Sequence, residues 1–283
     1  MAATLSVRQF FARFPDDDAC LAHVMEVRYG LRHDCRACGK EATFHRIKGR
    51  KAFACAQCGD HVYPCADTIF QDSRTSLQLW FYAMFLFVTT RHGVSARELQ
   101  RQLGVTLKTA WRMGHKIREL TGRADMKVML DGHVEIDETY VGGVSNRAGA
   151  MSSKTIVMGL KKRGGRLHTQ VIPDTKTKTF EAVVTRQVHE GATISTDEHP
   201  SYNLLNVSAY THGTVNHSAG EYARGEHHTN NIESFWHLFK TSVASTHIHI
   251  SKKYFDMYLR EFTFRSNHRV RENAMFDLLV ASL

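Results

Sequence analysis

Two rhythms of hydrophobic and polar positions run along this chain, one helical and one strand-like. From Leu77 to Val88 almost every position is apolar, as in a helix buried on all sides. Gln78 interrupts the run, which falls short of the roughly 20 residues needed to cross a bilayer. Ser95-Ala96-Arg97-Glu98 then has the form of an N-terminal capping box, Leu99 and Leu103 recur at helical spacing, and Gly104 ends the helix. Thr106 can cap a second helix through Trp111 to Leu120. Ala110, Met113 and Ile117 would face the first helix and leave Lys108, Arg112, Lys116 and Arg118 available. A short helix, a glycine turn and a basic second helix match a DNA-binding helix-turn-helix, although an ordinary helical hairpin has the same pattern.

Beyond residue 124 the rhythm becomes that of strands. His133 to Val141 alternates, with Val134, Ile136 and Tyr140 on one face and Glu135, Asp137 and Thr139 on the other. A Gly142-Gly143 turn follows, then strand-like runs over 155–161 and 166–172 around an Arg163-Gly164-Gly165 hairpin turn. Phe180, Val183, Val184 and Val188 fall at helical spacing, and Ala192 to Asp197 reads as a short strand ending in an acid. Three strands, a helix and a fourth strand fit a ribonuclease-H-like core, in which the first and fourth strands lie side by side and bring the acids at their ends, Asp137 and Asp197, together. A later helix, Asn230 to Thr241, supplies a third acid: Ile232, Phe235, Trp236 and Phe239 form its apolar stripe, and Glu233, His237 and Lys240 project along its flank. At 100° per residue Glu233 and Lys240 lie within roughly 20° of each other, so one can bind metal and the other a phosphate.

Three converging carboxylates repel one another and stay ionised only in the company of cations, so the pattern implies two magnesium (or manganese) ions held by Asp137, Asp197 and Glu233. Each acid taken singly is more often a turn former or a solvated side chain; their order, element type and spacing carry the assignment.

The cysteines change the picture of the first 72 residues, which contain all six. Cys35-Arg36-Ala37-Cys38-Gly39 and Cys55-Ala56-Gln57-Cys58-Gly59 are two CxxC knuckles with zinc-ribbon spacing. Four thiolates complete a tetrahedral ion and leave no open position, so one zinc here is structural. Thr43, Phe44, Ile47 and Phe53 suit a hairpin between the knuckles, and Cys20 and Cys65 read as buried free thiols. Lys and Arg outnumber Asp and Glu by 37 to 28, a formal +9, which favours a polyanionic partner, nucleic acid before membrane. Arg32, Arg36, Lys40, Arg46, Lys48, Arg50 and Lys51 around the knuckles suit phosphate contact or plain solvation. The N-terminal MAATLSVRQFFARFPDDD shows no secretory signal, and a cytoplasmic, nucleoid-associated location without a membrane partner is expected. Of the eighteen histidines, His212, His217, His227, His228, His237, His247 and His249 gather near the third acid. No HExxH-like pairing supports a second zinc there, and His217, His228 and His237 read instead as groups serving the acidic site or its phosphate contacts.

Five blocks then carry a family resemblance: VEIDETYVGG (134–143), STDEHPSY (195–202), VNHSAGEY (215–222), HTNNIESFWHLFK (228–240) and REFTFRSNHR (260–269). They resemble, in order and over nearly the whole chain, the signature blocks of bacterial insertion-sequence DDE transposases with an N-terminal zinc ribbon, the ISXO-like group. The resemblance implies a protein that binds the terminal inverted repeats of a mobile element, cleaves at its ends and joins the freed 3′-hydroxyl to target DNA. It places Asp137 and Asp197 at the first two catalytic positions, Glu233 at the third and Lys240 at the following basic position. Members of the group also carry Asn or His at the third position, which keeps Asn230 and His228 open as ligands. Because two element ends must be held together, a homo-oligomer on double-stranded DNA is expected.

The expected architecture is α/β (α+β): residues 1–72 with the zinc ribbon, 73–124 as a helix-turn-helix, and 125–283 as a ribonuclease-H-like domain with C-terminal helices whose Tyr254, Phe255, Tyr258, Leu259, Phe262 and Phe264 pack on the core in preference to lying between subunits. A zinc-ribbon regulator without catalysis and a nuclease without strand transfer are the competing functions.

Overall fold

Polar caps start most of the helices. Ser6 and Gln9 form a reciprocal capping box at α1 (Val7–Arg13), and Asp16 accepts the Ala19 N–H at 2.8 Å to start α2 (Asp17–Arg28); the hydrophobic pattern alone had assigned neither. The computed structural model describes residues 5–125, 128–142, 154–207, 209–269 and 272–283. These form two units, residues 1–124 with 270–283, and residues 125–269.

In the first unit, β1 (Arg32–Asp34), β2 (Glu41–Arg46), β3 (Phe53–Cys55) and β4 (His61–Val62) make a four-stranded antiparallel sheet in that order, which contains the expected hairpin. The apolar run becomes α3 (Leu77–Thr89), capped by Ser76, with Trp80, Phe81 and Met84 fully buried. Phe81 packs edge-on to Phe14 at 4.9 Å and to Phe276 at 5.8 Å. Phe276 lies in the last helix, α9 (Glu272–Ala281), and is itself buried with Met275, Leu279 and Val280. The segment expected to continue the second domain to residue 283 is thus divided, because the apolar face of this helix fills the aromatic core of the first unit.

Between α3 and the unit boundary, α4 (Ala96–Leu103) and α5 (Leu107–Ala124) are joined through Gly104, left-handed at φ 65°. Ser95 accepts the Glu98 N–H at 3.1 Å, but the Glu98 carboxylate turns to Gln102 and Arg101, so only half of the capping box forms. Ala110, Met113 and Ile117 are buried as expected, and at Gly114 a methyl group would lie 3.5 Å from Leu99, which marks the close approach of the two helices. Lys108 and Arg112 are exposed and Lys116 half-buried. Arg118 departs from expectation: it is buried, donates to the Val94 carbonyl at 3.3 Å and stacks its guanidinium over Phe87.

The second unit is built on a five-stranded mixed sheet in the order β7-β6-β5-β8-β9. Its strands are β5 (His133–Val141), β6 (Thr155–Lys162), β7 (Leu167–Ile172), β8 (Thr193–Thr196) and β9 (Thr211–Thr214). The first three are antiparallel neighbours, joined at β6 and β7 through Gly164 at φ 62°, and β8 runs parallel to β5. The Gly143 half of the turn expected after β5 lies outside the described residues. α6 (Thr177–Gln187) covers one face, where Phe180, Val183 and Val184 meet Val134, Ile136, Met158 and Ile194. α7 (Asn230–Ser242) and α8 (Phe255–His268) cover the other, where Ile232, Trp236 and Phe239 meet Val157, Leu167 and Leu259. Phe255, Leu259, Phe262 and Phe264 are buried, as core packing expects, whereas Tyr254 and Tyr258 are half-buried. No helix of the described residues is long and apolar enough to cross a membrane.

Helix α7 rests on the sheet because position 159, the register partner of Asp137, has no side chain. A Cβ there would lie 2.5 Å from Trp236 and 2.7 Å from Ile232. Gly159→Ala should therefore lower the unfolding free energy by about 1–3 kcal/mol, read as a lower urea midpoint at unchanged slope; an unchanged midpoint would place α7 further from the sheet.

Candidate functional site

Strand β5 sends three acids to two faces. Glu135 and Asp137 point toward α7, while Glu138 points the other way and accepts the hydroxyl of fully buried Tyr202 at 2.7 Å. Asp137 stands in the middle of β5 and not at its end as expected, because β5 runs on beside β6 to Val141. Its pairing with β8 stops earlier: Glu135 is opposite Ser195, and β8 ends at Thr196. Asp197, just past that end, therefore continues the same register beside Asp137. Burial, and then the charges of Glu138, Asp197 and Glu233, push the Asp137 carboxyl up to about 8. Burial also raises Glu138.

Glu233 enters from the first turn of α7. The Thr229 hydroxyl donates to its Oε1 at 2.6 Å, and His217 Nε2 lies 3.2 Å from the same oxygen. His217 is presented by a short turn that Glu198 fastens, its carboxylate accepting the N–H groups of His217 and Ser218 and the Ser218 hydroxyl. Those bonds, the Ser218 hydroxyl first, hold Glu198 down at about 2. The neighbours Asp197 and Glu198 thus face different tasks, one beside Asp137 and one anchoring the turn.

The two other candidates for the third position lie at the start of the same helix. Asn230 is exposed at the first position of α7. His228 Nδ1 sits 3.2 Å from Glu135, and its carbonyl accepts Arg163 Nη2 at 3.1 Å. Glu233 is the residue of that block whose charge bears on Asp137. His237 and Lys240 are exposed further along α7. His212 and His227 belong to buried polar contacts: Thr196 Oγ1 is 3.0 Å from His212 Nε2, and the Ser195 hydroxyl bridges His133 Nε2 at 2.7 Å and His227 Nδ1 at 2.9 Å.

Glu135, Glu138, Arg163 and Tyr202 were not singled out by the sequence. Glu135 had a signal in its place two residues before Asp137 on the same strand face, and Glu138 and Tyr202 lie within the resembling blocks.

In the first unit, Cys35, Cys38, Cys55 and Cys58 bring their sulfurs within 4.8 Å of one another. Gly39 and Gly59 are left-handed and return their N–H groups to the carbonyls of Cys35 and Cys55, which folds each knuckle under its pair of thiols. This is a donor set for one structural zinc. Cys20 and Cys65 are buried outside it, and burial raises both thiols.

Two family matches identify the class of this chain as transposase. Residues 15–61 match the transposase zinc-ribbon domain and residues 129–267 the ISXO2-like transposase domain; the chain belongs to the ISXO2-like transposases. It is 28% identical over 254 residues to a protein in the transposable element ISH50 of Halobacterium salinarum, covering 82% of this chain and 84% of that one. It is 29% identical over 103 residues to a transposase-like protein of Haemophilus influenzae, covering 36% of this chain and 82% of that one.

The ribbon generates a direct prediction. Cys38→Ser in the full chain should abolish stoichiometric zinc by elemental analysis and release the knuckle amides to rapid hydrogen exchange, since metal binding is here folding free energy. Retained zinc and protected amides would show that three thiolates suffice.

Proposed function

We propose that this protein is the transposase of an insertion sequence: it binds the terminal inverted repeats, cleaves at the element ends and transfers the strand into target DNA. The observation that carries the reading is the convergence of Asp137, Asp197 and Glu233 on one side of the sheet, with the Asp137 carboxyl raised by burial and then by the charges of Glu138, Asp197 and Glu233. The strand order, with the antiparallel β5, β6 and β7 followed by a parallel β8, supports a ribonuclease-H-like core. The pair α4 and α5, turning at Gly104, supports a helix-turn-helix whose α5 presents Lys108, Arg112 and the partly exposed Lys116 to double-stranded DNA.

The residues fit divalent cations. Asp137 is buried beside Glu138, Asp197 and Glu233, and among the described residues no lysine or arginine forms an ion pair with it, a charge imbalance that Mg²⁺ or Mn²⁺ relieves. Asp137, Asp197 and Glu233 would hold two ions, which supply Lewis-acid activation of the attacking hydroxyl and charge stabilisation at the leaving oxygen. Around them His217 orients Glu233, while His237 and Lys240 on the same flank of α7 offer donors to phosphate. Holding two element ends at once calls for a homo-oligomer on DNA, and the zinc ribbon adds a second DNA-contacting module in each copy.

The test is strand transfer with Mg²⁺ or Mn²⁺ on a duplex ending in the element's terminal repeat. Asp137→Ala, Asp197→Ala and Glu233→Ala should each lower joining by a factor of about 10² or more, with repeat binding intact and Asn230→Ala retaining activity. Repeat binding without cleavage by the wild type would instead indicate a regulator, and cleavage without joining a nuclease.

The raised Asp137 carboxyl also sets a pH dependence. In the metal-free protein its contribution to stability is complete below the unfolded value near 3.8 and is lost as pH rises through about 8. A cation must displace this proton at neutral pH, so Mn²⁺ affinity should rise between pH 6 and pH 8 by up to about tenfold per unit and then level off. A pH-independent titration by calorimetry would mean that Asp137 is already ionised.

A further inference from the structure

We infer that Glu135 is a positioning residue: its carboxylate caps helix α7 from the neighbouring strand and thereby fixes Glu233 relative to Asp137. The inference rests on the reading of Glu233 as the third acid. The start of α7 is unusual in how its amides are satisfied. Thr229 occupies the cap position but makes no capping bond; its hydroxyl donates to Glu233 instead. The N–H groups of Asn231 and Ile232 donate to Glu135 Oε2 at 2.8 and 3.2 Å, and the Asn231 side chain donates to Oε1 at 2.6 Å. Arg163 completes the clamp, donating from Nε to Glu135 Oε1 at 2.9 Å and from Nη1 and Nη2 to the carbonyls of Glu226 and His228 at 2.6 and 3.1 Å.

The exchange of roles has a consequence. Because a carboxylate from β5 does the capping, the cap residue's own hydroxyl is released to hold the acid one turn into the helix. The capping acid and Asp137 are two residues apart on one face of one strand, and the capped amides and Glu233 are adjacent on one helix. A single rigid rung therefore sets the separation of Asp137 and Glu233. Glu135 is fully buried, so losing its charge leaves Arg163 and two helix amides short of an acceptor.

The experiment compares Glu135→Gln, Glu233→Gln and the double variant in the full chain. Hydrogen exchange on the metal-free protein reads the clamp, and Mn²⁺ binding by electron paramagnetic resonance reads the acids. Glu135→Gln should speed exchange at Asn231 and Ile232 at least about tenfold while Trp236 to Phe239 stay protected, and weaken Mn²⁺ binding about tenfold. Glu233→Gln should weaken Mn²⁺ binding yet leave those two amides protected, and the double variant should bind no worse than Glu233→Gln alone. Unchanged exchange in Glu135→Gln, or wild-type Mn²⁺ affinity with the amides exposed, overturns the inference. Unchanged Mn²⁺ affinity in Glu233→Gln overturns the third-acid reading itself, a failure visible independently of the clamp. Should Glu135→Gln not fold, Asn231→Ala removes one donor and must show the same paired changes in smaller degree.

Discussion

The docking of helix α7 on strand β5 is the interaction on which the acidic end of the second unit depends. It has an apolar half and a polar half. Ile232 and Trp236 descend onto the sheet at Gly159, where any side chain would hold them off, and a few residues away the buried Glu135 carboxylate receives the helix amides. The apolar contact fixes the height of the helix, and the hydrogen bonds fix its register along the strand. Neither suffices for a carboxylate site, because a helix free to slide by one residue would rotate Glu233 by about 100° away from Asp137.

The acids of this unit share one formal charge and behave in opposite ways. Glu198 has hydroxyl and amide donors on both oxygens and is held ionised; Asp137, buried among other acids, is pushed toward its neutral form. Glu135 is buried yet satisfied by Arg163 and the end of a helix. Glu138 takes a tyrosine hydroxyl on the opposite face. The carboxylates with several donors hold the framework, and Asp137, pressed toward protonation by burial and its acidic neighbours, is where the proposed cation would relieve the charge. That sorting comes from hydrogen bonding and burial, and it is invisible to any count of acidic residues.

Much of the fold was legible because its signals are local. The CxxC spacing names the ribbon, the alternation over 133–141 names a strand, and the 3.6-residue stripe of Ile232, Phe235, Trp236 and Phe239 names a helix. What escaped depends on distant partners. β9 is four residues of Thr-His-Gly-Thr, a strand made by its parallel neighbour and not by its own pattern. Arg118 follows the spacing of an exposed basic residue but finds the Phe87 ring and the Val94 carbonyl. The last helix reads as one more apolar segment, and nothing local says that Phe276 joins the aromatic core around Phe81. At the site the acids were visible as a series, whereas the pairing of Glu135 with Arg163, and of Glu198 with the His217 turn, needed the folded chain.

The ribbon and the acidic cluster illustrate two ways of assembling like charges. Four thiols converge within 4.8 Å, at a spacing that local turns can build from one short stretch of chain, and a zinc ion closes the set completely. The carboxylates come from a strand interior, a strand end and a helix, and they meet only after the sheet and helix have packed. As the proposed metal site, such an arrangement would keep ligands on rigid elements while leaving coordination positions for a substrate, which a closed thiolate site cannot do. In the ribbon, glycine turns at Gly39 and Gly59 hold the thiols together; at the acidic site the Thr229 hydroxyl and the His217 ring hold Glu233. The ribbon is therefore suited to stabilising a fold, and the acidic site, under the proposed function, to exchanging ligands during a reaction.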